Sequence, residues 1–99
     1  MKKENNKYNT AIPDMAEFFK ILGDNTRLRI MLLIDEQRLC VNDIASKLEM
    51  TKSAVSHQLA LLRAAKLITY EKEGKEVYYK LADEHIKIIV ETAFDHVTE

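Results

Sequence analysis

Residues that break or bend regular backbone are nearly missing from this chain: Gly23, Gly74 and Pro13 are the whole supply in 99 residues. Sandwiches and barrels of many short strands need turn residues at every reversal, and these three do not provide them. Phosphate-cradling loops are excluded on the same ground, since neither Gly-x-Gly-x-x-Gly nor Gly-x-x-x-x-Gly-Lys occurs. Hydrophobic residues at 46% and charged residues at 31% are an ordinary balance for a globular domain. The length supplies one modest core and not two. Helices suit such a chain.

Periodicity places them. Residues 1–12 are polar and aperiodic and are expected to form a flexible arm outside a domain of residues 13–99. Pro13-Asp14 suits the first turn of a helix in which Met15, Phe18, Phe19 and Leu22 follow at i, i+3, i+4, i+7. Gly23 is expected to end it in the left-handed conformation. Asp24 or Asn25 then caps a second helix through about Ile34, apolar almost all round and therefore central. Asn42 is the expected cap of a short third helix carrying Ile44, Ala45 and Leu48. Thr51 caps a fourth helix to about Ala65, with Val55, Leu59 and Leu62 on one face. Only Glu49-Met50-Thr51 joins these two helices, which describes a helix-turn-helix.

The period then drops to two. Residues 67–70 and 77–81 are β-branched and aromatic and flank a turn at Glu73-Gly74-Lys75, giving a hairpin, or wing, directly after the fourth helix. Asp83 caps a last helix striped by Ile86, Ile89, Val90, Ala93 and Val97. The expected fold is mainly α with a small β-hairpin, a winged helix-turn-helix of order α-α-α-α-β-β-α.

The net charge of -1 does not by itself point to nucleic acid. Its distribution does more. Residues 47–80 carry seven basic and four acidic side chains, +3, whereas 81–99 carry one and five, -4. Cys40 is the lone cysteine, which fits a reducing compartment. No apolar run approaches the ~20 residues that cross a bilayer, and no signal-peptide stretch follows the start. A cytoplasmic protein without membrane contact is expected.

On the fourth helix, Lys52, Ser53, Ser56, His57, Gln58 and Arg63 stand clear of the core stripe, most of them near the N-terminal end. A recognition helix offers that end to base edges in the major groove. Glutamine can pair bidentately with adenine, and serine or lysine can reach bases or phosphates. Lys72 and Lys75 in the wing are placed to neutralise a neighbouring phosphate or enter a minor groove. Alone, the same polar face is what any amphipathic helix shows to solvent, and wing lysines also guard exposed sheet edges. Helix-turn-helix, wing and local basic excess together favour DNA.

On the last helix, His85 and His96 are eleven residues apart and return to within ~20° of one direction, yet their Cα atoms are ~16 Å apart along the axis. One ion cannot join them within a chain. Across a twofold axis, an antiparallel copy brings His85 of one subunit beside His96 of the other. Asp83 accompanies His85 and Glu99 accompanies His96, so each of two sites has two nitrogens and two carboxylates, a set suited to zinc. The spacing is equally that of an acidic, solvated helix, or of histidines that pack in a dimer without metal.

Across residues 13–99 the chain resembles the ArsR/SmtB family of winged-helix repressors. The resemblance rests on Leu22-Gly23-Asp24-Asn25-Thr26-Arg27-Leu28-Arg29-Ile30, on Leu39-Cys40-Val41-Asn42-Asp43-Ile44-Ala45, and on Ser53-Ala54-Val55-Ser56-His57-Gln58-Leu59. Ala64-Ala65-Lys66-Leu67-Ile68 and Gly74-Lys75-Glu76-Val77-Tyr78-Tyr79-Lys80-Leu81 extend it. Asp83, His85, His96 and Glu99 are similar to the zinc-sensing subgroup with ligands on the C-terminal helix. Soft-metal sensors of the family carry Cys-Val-Cys where this chain has Cys40-Val41-Asn42, so Cys40 reads as a small buried residue. Lys66 stands where the family often has glycine before the wing and takes that bend less easily. The resemblance implies a homodimeric repressor. Its metal-free form would bind double-stranded, near-palindromic operator DNA and be released by Zn(II), with Co(II) or Ni(II) as further candidates. The alternatives are a repressor answering another metal or Cys40 oxidation, and a winged-helix protein-interaction module. No nucleophile–base constellation suggests an enzyme.

Overall fold

The computed structural model describes residues 6–99. Their order is α1 (Asn6–Leu22), α2 (Asn25–Glu36), α3 (Val41–Leu48), α4 (Lys52–Ala64), β1 (Ile68–Glu73), β2 (Glu76–Leu81) and α5 (Glu84–Thr98), the winged helix-turn-helix arrangement that the sequence suggests.

The largest departure is at the start. Residues 6–12, expected as part of a flexible arm, are the opening turns of α1, while residues 1–5 of that arm lie outside the described residues. Pro13 is therefore not a first-turn residue but an interior one. It cannot donate the rung to the carbonyl of Asn9, normally a helix-breaking loss. The helix nevertheless runs through it, and Tyr8, Ala11 and Ile12 extend the apolar stripe backward from Met15, Phe18, Phe19 and Leu22. That stripe is scarcely covered: only Leu22 is buried, and Tyr8, Ile12, Met15 and Phe19 are each more than half exposed.

The core lies further along. Ile30, Met31 and Ile34 of α2 meet Ile44 and Ala45 of α3, Val55, Leu59 and Leu62 of α4, and Ile86 and Val90 of α5, all buried. The α2 helix is less central than its composition suggests, since Leu28 is exposed and Leu32 and Leu33 are half-buried. Leu67 and Ile68 seal the base of the wing. The two strands pair antiparallel from Ile68↔Leu81 to Glu73↔Glu76, and the Tyr79 N–H donates to the Leu39 carbonyl at 3.1 Å, joining the α2–α3 connection to the sheet. The strands outrun their apolar stretch because ladder bonds are made by backbone, whatever side chains the residues carry. The turn narrows to Gly74-Lys75, with Gly74 at φ 63°.

Local chemistry fixes the helix ends. Asp24 accepts from the Arg27 N–H, Thr51 from the Ala54 N–H and Asp83 from the Ile86 N–H, each at 3.0 Å, as N-caps do. For α3 the expected cap, Asn42, lies inside the helix. Cys40 holds the cap position, and the Asp43 carboxylate reaches back to its N–H at 3.4 Å. Gly23, expected in the left-handed region, is not there. Its value is room: a Cβ would come within 3.2 Å of the Phe19 carbonyl, to which its own N–H is bonded. The left-handed positions are instead Glu49 (φ 54°), ending α3, and Lys66 (φ 62°), ending α4. In both, the next N–H bonds back to the last turn, Met50 to Ala45 and Leu67 to Leu62, and a side chain from the apolar cluster follows.

Because Pro13 sits within α1, Pro13→Ala restores a hydrogen bond and removes a clash. Urea unfolding is expected to show stabilisation of roughly 1–3 kcal/mol. A neutral or destabilising effect would mean that the helix begins at Pro13.

Candidate functional site

The α4 helix is seated by its buried side and oriented by its cap, which leaves a fixed polar face. Lys52, Ser53, Ser56 and His57 are all exposed there. His57 is thus a surface group, not a buried and bonded histidine. Gln58 is half-buried, at the edge of the core beside Leu59. Its Oε1 faces Nη1 of Arg27 at 3.4 Å, and the Arg27 Nε donates to the Ile21 carbonyl at 2.7 Å. The α1–α2 corner thereby touches the polar face of α4. Arg63, at the far end of α4, is exposed and lies over the Tyr70 ring of the wing, 4.3 Å from its centroid.

The wing lysines, Lys72 and Lys75, are exposed as expected. They alternate with Glu71, Glu73 and Glu76, and Lys80 pairs with Glu71 at 3.2 Å, so three basic and three acidic residues cancel along residues 68–81. The basic excess belongs to α4 and its flanks: Lys47, Lys52, Arg63 and Lys66 stand against Glu49 alone within residues 47–66. The flank of the wing carries a further cation that the sequence reading omitted. Arg38 lies 4.1 Å over the Tyr78 ring and pairs with Glu73 at 3.2 Å. Arg38 and Arg27 gave no local signal, because their partners lie 35 and 31 residues away.

Cys40 is not the buried residue expected. It is half-buried, and its thiol donates to the Asp43 carboxylate at 3.3 Å. With the Leu39 carbonyl held by the wing and Leu39 in the core, the next side chain turns aside.

At the start of α5, Oδ1 of Asp83 lies 3.6 Å from Nδ1 of His85, and both side chains are largely exposed. His96 lines an open apolar groove with Ile88, Ile89, Thr92, Ala93 and Val97 at the other end of the helix. Glu99 follows as its C-cap and is exposed. The structure thus unites Asp83 with His85 but not with His96 or Glu99. Among the described residues no three ligating side chains of one chain converge. The donor chemistry fits zinc, two nitrogens and two carboxylates, only if both ends of α5 contribute.

Between these ends, Lys87 bonds Asp35 of α2 at 2.6 Å and Glu91 at 3.0 Å. The Asp35 side chain is only 11% exposed. Burial works to raise its carboxyl, but the hydrogen bond from Lys87 and the charge of that ammonium outweigh it and hold it below the usual range. The hydrogen bonds to Asp35 and Glu91 in turn lift the Lys87 ammonium well above its ordinary value. A lowered acid stabilises above its unfolded value, and a raised base stabilises below its own. The tie is therefore at full strength between about pH 4 and pH 10. The stability difference between wild type and Lys87→Met, read by denaturant titration, is expected to be level across pH 5–9. It should shrink as acid protonates Asp35; a difference that grows in acid would contradict the assignment.

Residues 24–70 match the family described as "Bacterial regulatory protein, arsR family". The chain is 46% identical over 85 residues to a transcriptional repressor SmtB homolog of Synechocystis sp., covering 86% of this chain. It spans 64% of that protein's length, a little under two thirds. It is also 46% identical over 87 residues to a cadmium resistance transcriptional regulatory protein CadC homolog of Staphylococcus aureus, covering 87% of this chain and 72% of that one. Among solved structures, it superposes with a TM-score of 0.84 on the homodimeric winged helix-turn-helix DNA-binding domain of a possible ArsR-family regulator from Mycobacterium bovis. That match covers 100% of this chain and 89% of the other at 22% identity, a likeness of fold.

Proposed function

The chain belongs to the arsR family of bacterial regulatory proteins, and from that premise we propose that it is a metal-responsive transcriptional repressor. In this reading the metal-free homodimer holds operator DNA and releases it when zinc binds between the paired α5 helices. The observation that carries the DNA half is the polar face of α4, with Lys52, Ser53, Ser56 and His57 all exposed. Phosphate contacts from Lys52, Arg63, Lys72 and Lys75 would set register, and Ser53, Ser56, His57 and Gln58 would meet base edges. Both relatives described above are transcriptional regulators rather than enzymes. No helix among the described residues is long and apolar enough to cross a membrane.

The metal half rests on Asp83 and His85 standing side by side at an exposed helix end. His96 and Glu99 of a second, antiparallel copy would complete the set. Dimerisation is supported by the uncovered apolar faces. Tyr8, Ile12, Met15 and Phe19 of α1 and Ile88, Phe94 and Val97 of α5 are exposed, more than scattered surface residues would account for. Asp83 and His85 of one copy with His96 and Glu99 of the other would hold the ion, and that link would favour one spacing of the two recognition helices. By linkage, DNA weakens zinc binding by the factor with which zinc weakens DNA binding. Cadmium is named for one relative, but a site without thiolate favours a harder ion.

Titration of the metal-free protein with zinc is expected to fill two sites per dimer and to weaken operator binding in gel shifts by about tenfold or more. His96→Ala should still bind DNA but lose that response. If His85→Ala and His96→Ala both respond like wild type, the α5 site is refuted while repression is not.

A further inference from the structure

Gln58 differs from its neighbours on α4 because it is already engaged within the protein. Arg27 lies in the first turn of α2, where Asp24 accepts its backbone N–H at 3.0 Å. Its guanidinium is anchored by the bond from Nε to the Ile21 carbonyl at 2.7 Å. From that fixed position Nη1 faces Oε1 of Gln58 at 3.4 Å. A guanidinium has donors only and a permanent positive charge, so an amide beside it turns its oxygen toward the cation and its NH2 group away. Gln58 is also half-buried, which restricts the rotamers by which it could reverse.

We propose that Arg27 is a positioning residue that makes Gln58 a hydrogen-bond donor toward DNA, so that α4 selects guanine where an unconstrained glutamine would select adenine. The inference rests on the DNA-binding reading above. Bidentate pairing with adenine needs both ends of the amide, Oε1 to accept from N6 and Nε2 to donate to N7. With Oε1 turned toward Arg27, the Nε2 hydrogens are what the side chain presents outward. Guanine presents two acceptors, O6 and N7, and matches them. Adenine sets its N6 amino group against another donor, cytosine offers a donor alone, and thymine offers the single acceptor O4.

The test is selection of bound duplexes from a randomised pool by the full-length protein. The Gln58 position is identified as the one whose preference disappears in Gln58→Ala. Wild type is expected to prefer guanine over adenine there by about tenfold. Arg27→Met frees Oε1 and should bring adenine to parity or better at that position alone. Arg27→Lys keeps a cation beside the amide and should retain guanine. Gln58→Glu removes the donors and should lose guanine without gaining adenine. A residue that merely supports the fold would lower binding to every sequence equally and leave the base preference unmoved. That result overturns the proposal, as does adenine at the Gln58 position of wild type, or a Gln58→Ala variant with unchanged preferences. If Arg27→Met does not fold, the wild-type, Gln58→Ala and Gln58→Glu pools decide. If wild type enriches no sequence, the DNA-binding reading itself fails, a result distinct from the others.

Discussion

A straight helix separates residues by 1.5 Å for each step along the chain, and that geometry governs how α5 can work. His85 and His96 share a direction but not a neighbourhood. The structure leaves a carboxylate–imidazole pair, Asp83 and His85, at one end of α5, and His96 with Glu99 at the other. In the proposed reading each end would be half of a four-ligand site, and a second copy running the opposite way would bring unlike halves together twice. The uncovered apolar side chains of α1 and the far half of α5 reinforce the point, since they give the same two copies a reason to associate before any metal arrives.

The regions proposed for metal and for DNA are bonded to one another through α2. Lys87, two residues beyond His85, pairs with Asp35 near the end of α2, while Arg27 at its beginning faces Gln58 on α4. Any displacement of α5 relative to α2 must stretch an ion pair whose carboxylate is nearly buried. Charges of this kind resist separation because an unpaired one would be left without solvent. The helix between them is held in the core by Ile30, Met31 and Ile34, so both contacts are made by one packed element.

Much of this was readable in the chain beforehand. The caps Asp24, Thr51 and Asp83, the stripe of Val55, Leu59 and Leu62, and the strained backbone at Lys66 all follow from chemistry within a few residues, which a sequence displays directly. The failures share a different cause. Pro13 reads locally as a helix start, but α1 begins at Asn6 and runs through it. Gly23 eases a tight approach to a carbonyl and makes no left-handed turn. Asp43 replaces Asn42 in capping α3 because a carboxylate at the third position can reach back. Most telling are Arg27 with Gln58, Arg38 with Tyr78, Arg63 with Tyr70 and Lys87 with Asp35. These pairs are made by the tertiary fold, and no local pattern announces them.

The central claim is that two chains are required for sensing. It is tested most directly by sedimentation equilibrium of the full-length, metal-free protein at micromolar concentration. The account predicts twice the mass of one chain, retained when zinc is added. A single-chain mass under conditions where the protein binds DNA and responds to zinc would contradict it.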